Sequence, residues 1–202
     1  MSGPASTATL HIDGIAAGGD GVARHDGMVV FVPRAVPGDE VVVALERHKR
    51  FARGQVLRTL VASPDRVPPA CAHFVADRCG GCQLQGLGYE AQRAAKGRIV
   101  SDALTRLAGR AVGPIAVAPS PSPFRYRNAL SLALRRDRLR PGGWLAGLHV
   151  QGRPDELFAL TDCPITREDV NAAWQAVLRV GDQLPRAFQL RATIRALGDG
   201  TM

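Results

Sequence analysis

Three of the four cysteines of this chain lie within twelve residues, in the stretch CAHFVADRCGGCQLQ at positions 71–85. Cys71, Cys79 and Cys82 have the spacing C-x7-C-x2-C, and eighty residues separate them from Cys163, which precedes a proline. We read no secretory signal at the N-terminus, so we expect a cytoplasmic and reducing setting. In such a setting a tight cysteine group indicates metal binding or redox chemistry rather than a disulfide framework.

The spacing favours an iron–sulfur cluster over zinc, although four thiolates suit either metal. A common zinc pattern uses two C-x2-C pairs, and this chain has one. Iron–sulfur clusters accept irregular loops, and Gly80 and Gly81 allow the backbone to fold closely around an inorganic core. The five histidines show no metal-ligand spacing, and we expect His73, inside the cysteine stretch, to be an exposed loop residue.

Arginine dominates the charge of the chain, which is +8 overall, with 24 arginines among the 26 basic residues. A GC-rich genome could explain this bias, but the distribution is uneven: six arginines stand against one acid between Phe124 and Arg140. Because the guanidinium fork suits phosphate, we predict a nucleic-acid contact there. Its candidate residues are Arg125, Tyr126, Arg127 and Asn128.

The elements that must position these residues begin with about five short strands in residues 6–62, separated by turns such as GGDG, HDG and VPGDE. This is the size of a small closed barrel of the oligonucleotide-binding type. The basic stretch RHKRFAR lies at its exit and supplies further candidate nucleic-acid contacts, although each charge taken singly could be an ordinary solvated side chain. These residues are Arg47, Lys49, Arg50 and Arg53.

A proline-rich linker, SPDRVPPA, precedes the cysteines, and a helix is predicted from Tyr89 to a stop at Gly109. Its apolar stripe consists of Ile99, Val100, Ala103, Leu104 and Leu107.

The part from Phe124 onward has an α+β pattern. Strands are predicted in YRNALSLAL, GWLAGLHV, ELFAL and AFQLRATIRAL. Thr166 is predicted to cap a helix with Val170, Trp174, Val177 and Leu178 on one face. GDG at 198–200 predicts a turn, and a last strand without a returning partner would leave an unpaired edge. We therefore expect this domain to be incomplete.

These motifs, taken in order, resemble the RNA uridine C5-methyltransferases that carry a four-iron, four-sulfur cluster, of the 23S rRNA type. The resemblance rests on CGGCQLQ with Cys71 upstream, followed by YEAQRAAK, FRYRNA and CPIT. GGDGVARHDGMVVFVPRAVPGDEV resembles the TRAM domain, an RNA-binding barrel at the N-terminus of many of these enzymes. The interval between the first two cysteines is two residues longer than in many members, an extension that costs little closure entropy.

The resemblance implies three parts: a five-stranded OB-like TRAM barrel at 6–62, a linker, cluster loop and helix at 63–110, and an incomplete central RNA-recognition domain at 111–202. It implies a 4Fe-4S cluster as a structural staple, with a redox or oxygen-sensing role as the alternative. The implied partner is structured RNA, with rRNA favoured and transfer RNA open, and we expect a monomer without membrane contact. The implied cluster ligands are Cys71, Cys79, Cys82 and Cys163.

The resemblance also implies a mechanism whose parts this chain lacks. In the family, a cysteine thiolate adds to C6 of a uridine, C5 takes the methyl group of S-adenosylmethionine, and a base removes the C5 proton. With all four cysteines implied as cluster ligands, none remains as the nucleophile. The glycine-rich AAGGDGVA precedes a strand rather than a helix, and we find no Rossmann-like methyltransferase domain.

We therefore predict no catalytic residue and no S-adenosylmethionine contact in this chain, which would be the substrate-recognition part of such an enzyme and inactive alone. A stand-alone RNA-binding iron–sulfur protein is the alternative. A radical methylthiotransferase is disfavoured because its C-x3-C-x2-C signature is absent.

Overall fold

The computed structural model describes residues 6–198, which form two β-sheets and a small number of helices, so the expected α+β class is confirmed. The chain divides into two compact units. The first comprises the residues up to Pro68 together with Gln83–Pro119, and the second comprises Pro69–Cys82 and the residues from Ser120 onward. Within the described residues, no helix combines the length and apolarity that crossing a bilayer requires.

The first unit contains a six-stranded sheet with the order β1-β5-β6-β4-β3-β2. Neighbouring strands are antiparallel except β4 and β6, which pair in parallel at Phe31 and Arg53. The six strands fall within residues 6–61, where the sequence predicts about five, and the five-stranded OB-like barrel stays a prediction. The strands are β1 (Ser6–His11), β2 (Gly14–Ile15), β3 (Gly21–His25), β4 (Met28–Val32), β5 (Glu40–Arg47) and β6 (Ala52–Val61).

A buried carboxylate joins this sheet to the segment that follows it. Asp39 is fully buried and accepts hydrogen bonds from the backbone amides of Val36 (2.8 Å) and Ser63 (3.0 Å). The guanidinium of Arg66 adds a two-pronged ion pair. Burial raises the pKa of Asp39, but these hydrogen bonds and the charge of Arg66 together lower it by more. The pKa of Asp39 therefore lies below its usual value. The bonds of Ser63 and Arg66 to Asp39 therefore fix the start of the linker against the sheet.

The helix α2 spans Tyr89–Ala108 and ends at Gly109 in the left-handed conformation (φ 61°), as the sequence predicts. Its predicted apolar stripe does not form a packing face, since Val100, Leu104 and Leu107 are exposed. The helix instead buries Ala95 and Gly97. A Cβ at Gly97 would lie 2.1 Å from the carbonyl oxygen of Ile115, so the returning chain packs against the helix where a side chain is missing.

The second unit is built on an antiparallel four-stranded sheet with the order β10-β7-β8-β9. A five-residue helix, α1 (Ala72–Ala76), lies within the cysteine stretch that the sequence indicated to be a loop. The other elements are β7 (Ala129–Arg136), β8 (Trp144–Val150), β9 (Arg153–Ala159), α3 (Glu168–Arg179) and β10 (Gln189–Arg195), with 3-10 turns at Pro141–Gly143 and Gly181–Gln183. The turn predicted at 198–200 lies largely outside the described residues.

The core of this unit lies between one face of the sheet and helix α3. Val170 and Trp174 are fully buried, which confirms the predicted face of α3, and they pack with Leu132 and Leu134 of β7. The predicted cap is wrong: α3 begins after Arg167, and Thr166 points its hydroxyl into the interior, where no described residue hydrogen-bonds to it.

Candidate functional site

The four cysteines all belong to the second unit, although eighty residues separate the last two along the chain. Cys71 precedes α1, Cys79 and Cys82 lie in the loop after it, and Cys163 lies in the turn between β9 and α3. None of them forms a disulfide. Cys71, Cys79 and Cys163 are buried, and Cys82 is half-buried. The structure therefore brings the predicted ligands into one region.

The pKa of the Cys79 thiol is raised by its surroundings. Burial raises the pKa of this thiol, and the charges of Cys82, Cys71 and Cys163 raise it further. A hydrogen bond from the amide of Gly81, 3.4 Å from the sulfur, lowers it. Three other thiols thus act electrostatically on Cys79. A mutual repulsion of thiolates is relieved when a cation binds among them, because a metal site inverts the local pKa effects.

Metal coordination is not preformed in the described residues, among which no group of three or more His, Cys, Asp or Glu side chains has an arrangement that could hold a metal ion. Electrostatic influence extends further than a metal–sulfur bond of about 2.3 Å, so the effect of the other three thiols on Cys79 does not require the four cysteines to lie at ligand distance. As a donor set they fit a four-thiolate group, and a Cβ at Gly81 would lie 3.4 Å from the Cys79 sulfur, in ordinary van der Waals contact.

The loop that carries Cys79 is held by the hairpin of β8 and β9. The amide of Gly80 donates to the carbonyl of His149 (3.2 Å), and the amide of Gln151 donates to the carbonyl of Arg78 (2.8 Å). Cys79 forms a β-bridge with Val150. The loop is therefore fixed by backbone pairing, which needs no particular side chain and left no signal in the sequence.

His73 is buried rather than exposed, so its expected role as a surface loop residue is wrong. One ring nitrogen, Nδ1, lies 2.6 Å from a carboxylate oxygen of Asp77, and the other, Nε2, lies 2.8 Å from the hydroxyl of Thr161. The ring also packs against Phe158, with 5.2 Å between ring centroids. This histidine connects the segment of the first three cysteines to the strand end just before Cys163.

A second set of hydrogen bonds holds the turn of Cys163. Arg125, in the left-handed region (φ 56°), forms a bidentate pair with Asp162 at 3.0 Å and donates to the carbonyl of Cys163 at 3.1 Å. From the other side, Asn171 of α3 donates to the same carboxylate (2.8 Å) and the same carbonyl (3.1 Å). The guanidinium that was predicted to contact RNA is thus engaged within the chain.

The neighbours of Arg125 have exposed side chains. The amide of Arg127 donates to the carbonyl of Ile165 (2.8 Å), and the carbonyl of Arg127 accepts from the amide of Arg167 (3.0 Å). The side chain of Arg127 is exposed. Tyr126 and Asn128 are likewise exposed. Three of the four predicted contacts of this segment are therefore accessible, and they lie beside the Cys163 turn.

In the first unit, the predicted basic residues surround an aromatic cluster that sequence reasoning missed. The ring of Phe51 stacks on His48 with centroids 4.6 Å apart and meets the edge of Phe31 at 5.8 Å. The basic side chains Arg47, Lys49, Arg50 and Arg53 are exposed, and Arg47 pairs with Asp26 at 2.8 Å. The alternation of aromatic and basic residues in RHKRF could have predicted part of this cluster. Phe31 joins it only because strands β4 and β6 pair in parallel.

Comparison with known proteins matches the TRAM domain model to residues 5–57. An uncharacterized RNA methyltransferase of Thermosynechococcus vestitus is 41% identical over 82% of this chain, and the match covers 36% of that protein. The 23S rRNA (uracil(1939)-C(5))-methyltransferase RlmD of Methylococcus capsulatus is 33% identical over 97% of this chain, which covers 44% of that protein. The chain thus spans less than half the length of these relatives. It carries a TRAM domain and belongs, as the motifs taken in order indicated, to the family of these RNA methyltransferases.

Proposed function

We propose that this chain is the substrate-recognition, iron–sulfur-binding part of an RNA uridine C5-methyltransferase, with 23S rRNA as the substrate. The observation that carries the proposal is that Cys163, eighty residues further along the chain, acts electrostatically on Cys79 together with Cys71 and Cys82, in a relative of rRNA uracil methyltransferases. The proposal places the protein in the cytoplasm as a monomer, bound to structured RNA. A four-iron, four-sulfur cluster would be held by Cys71, Cys79, Cys82 and Cys163.

The cluster, when bound, would supply a covalent link between the α1 loop and the turn before α3. The chain's own residues prepare that link, since His73 joins the two segments and Arg125 and Asn171 orient the turn. Metal binding of this kind contributes directly to folding free energy. A structural role therefore accounts for the buried, hydrogen-bonded surroundings of the site.

The full enzyme would transfer a methyl group from S-adenosylmethionine to C5 of uridine. We propose that this chain alone does not, because its four cysteines serve as ligands and none is left to add to C6 of the base. The chain would instead hold the RNA. Its exposed basic and aromatic groups support this role, namely Lys49, Arg50 and Arg53 beside the half-buried ring of Phe51 in the first unit, and Tyr126, Arg127 and Asn128 in the second.

Anaerobic purification tests the cluster. We expect about four iron and four sulfide per chain with a broad visible absorbance band, and loss of both on Cys163→Ser. Ile165→Val, a small core truncation in the same turn, serves as the matched control and should keep the iron. Stoichiometric zinc in a colourless protein would contradict the cluster.

A methyl-transfer assay with labelled S-adenosylmethionine and 23S rRNA tests whether this chain binds RNA without transferring the methyl group. The iron-loaded chain alone should transfer no methyl group yet bind the rRNA. Methylation by this chain alone would overturn the proposal. Binding of the rRNA without any enhancement of methylation by the remainder of a family enzyme would favour a stand-alone RNA-binding iron–sulfur protein.

A further inference from the structure

The solvent face of strands β7 and β10 has a composition different from the core face. The strands pair in antiparallel register, with Leu132 opposite Ala192 and Ser131 opposite Thr193. Leu130, Leu132 and Leu134 point into the core beneath α3, so the residues between them point outward. The outward positions of β10 are all exposed, and they are Gln189, Arg191, Thr193 and Arg195.

This outward face is positive. It carries Arg191 and Arg195 on β10 and Arg135 on β7, and neither strand contains an aspartate or glutamate. Among the described residues, no ion pair involves Arg191 or Arg195. Arg135 reaches only a backbone carbonyl, that of Asp155, at 3.4 Å. In the part of the chain that the structure describes, the charges of Arg191 and Arg195 are thus not paired with a carboxylate.

The shape of the face suits an extended polyanion. Small residues lie beside the arginines, since Arg191 is opposite Ala133 and Arg195 is opposite Ala129. The hydroxyls of Ser131 and Thr193 meet between them at 2.7 Å. Four residues along a strand put the two arginines about 14 Å apart, so a polymer lying along β10 can meet both.

An exposed aromatic side chain, Phe188, immediately precedes β10 but does not share the face of the arginines. Its carbonyl accepts a hydrogen bond from the amide of Arg136, so Phe188 continues the alternation of Leu190 and not that of Arg191. The strip therefore offers charge rather than stacking, and a positive surface that follows the backbone is one of the means by which proteins bind single-stranded nucleic acid.

We propose that this strip, defined by Arg135, Arg191 and Arg195, binds the sugar–phosphate backbone of a single-stranded RNA segment. The inference rests on the proposed RNA-binding function and adds a contact surface to it. The arginines pair with phosphates of that segment. Sequence preference would come from other parts of the molecule, because contacts to phosphate carry none.

Fluorescence anisotropy with a labelled oligouridylate, measured over a range of salt concentrations, tests the strip in the full chain. Loss of two phosphate contacts in Arg191→Gln/Arg195→Gln should lower the slope of log K against log salt by about 1.4 and weaken binding by about 25-fold at 0.1 M salt. The control Arg179→Gln/Arg186→Gln removes two exposed arginines from the same unit and should change neither quantity.

Three outcomes decide the matter. Unchanged slope and affinity in the β10 variant, with wild-type protein that binds RNA, would overturn the strip and leave the proposed function standing. A wild-type chain that binds no RNA would overturn both. Equal competition by polyglutamate of matched charge would show a general anion surface and overturn the assignment to RNA.

A second measurement needs no variant. Phenylglyoxal modifies accessible arginines, and mass spectrometry should show Arg191 and Arg195 protected by RNA while Arg179 is not. Equal modification with and without RNA would contradict the strip.

Discussion

The imidazole of His73 accepts a hydrogen bond from the backbone amide of Thr161, with 3.1 Å between Nε2 and the amide nitrogen. Since Nε2 is the acceptor, the ring proton lies on Nδ1 and is donated to Asp77. His73 follows Cys71 by two residues, and Thr161 precedes Cys163 by two. One side chain thus holds together the chain segments that carry the first and the last of the proposed ligands.

Removal of this side chain should therefore weaken the site. In His73→Ala we expect the iron content of the anaerobic protein to fall by more than half and the free energy of unfolding of the metal-free chain to fall by about 1–3 kcal/mol, because the Thr161 amide and the Asp77 carboxylate lose their partner. Iron analysis and urea denaturation measure the two effects. His149→Ala, which changes an exposed histidine of the same unit, is the control.

Two conservative variants distinguish the hydrogen bond at Nε2 of His73 from the volume of its side chain. Glutamine at position 73 can present an acceptor where Nε2 lies, whereas asparagine reaches only the Nδ1 position, so His73→Gln should retain more iron than His73→Asn. The absorption spectrum of the remaining cluster should return toward that of the wild type in His73→Gln alone. Equal iron content in all three variants would contradict the role of the Thr161 bond.

Arg125 should behave as a structural residue, in contrast to its neighbour Arg127. Arg125→Ala removes the bonds to Asp162 and to the carbonyl of Cys163, so we expect lower iron content and a loss of about 1–3 kcal/mol in unfolding free energy. Arg127→Ala leaves the fold unchanged, since only the backbone of this residue is engaged, and should reduce the salt dependence of RNA binding. The opposite pattern in iron analysis and RNA titration would show that the roles are exchanged.

Asp39 should make the first unit sensitive to acid. Its pKa in the folded chain lies below the usual value, so its contribution to stability is complete above the unfolded pKa of about 3.9 and is lost as pH falls toward the folded pKa. We expect Asp39→Asn to lower the unfolding free energy at pH 7 by about 3 kcal/mol, because Arg66 and the Ser63 amide lose a charged acceptor.

Urea denaturation of the wild type and the variant between pH 7 and pH 3 measures this. The difference between them should shrink below pH 4. A difference that stays constant with pH would contradict the assignment. Asp13→Asn, at an exposed position of the same unit, should differ little from the wild type at any pH.

The aromatic cluster of the TRAM domain should contribute base stacking rather than charge. Phe51→Leu keeps apolar volume but removes the ring that contacts His48 and Phe31, and it should weaken RNA binding by about 1–3 kcal/mol with little change in the salt slope. Lys49→Gln/Arg50→Gln should do the reverse and lower the slope by about 1.4. RNA titration in parallel salt series distinguishes the two, and an identical effect of both variants would refute the distinction.

Local chemistry explains which elements could be predicted. Helix α2 begins at Tyr89 and stops at Gly109 as expected, because a left-handed glycine ends a helix whatever surrounds it. The prediction of its packing face was wrong, because the chain at Ile115 packs against Gly97 and not against the apolar stripe. The helix α1 escaped prediction, since five residues carry too little periodicity to distinguish a single helical turn from a loop.

The sequence by itself determined the candidate cysteines, the order of the strands along the chain and the family, because residue types and short spacings are properties of the chain alone. Only the tertiary structure decided that His73 is buried beside Thr161, that Arg125 serves the Cys163 turn, and that arginines of β7 and β10 share one face. Each of these facts depends on contacts between residues far apart in the chain. Strand register and chain crossings set such contacts, and no local pattern records them.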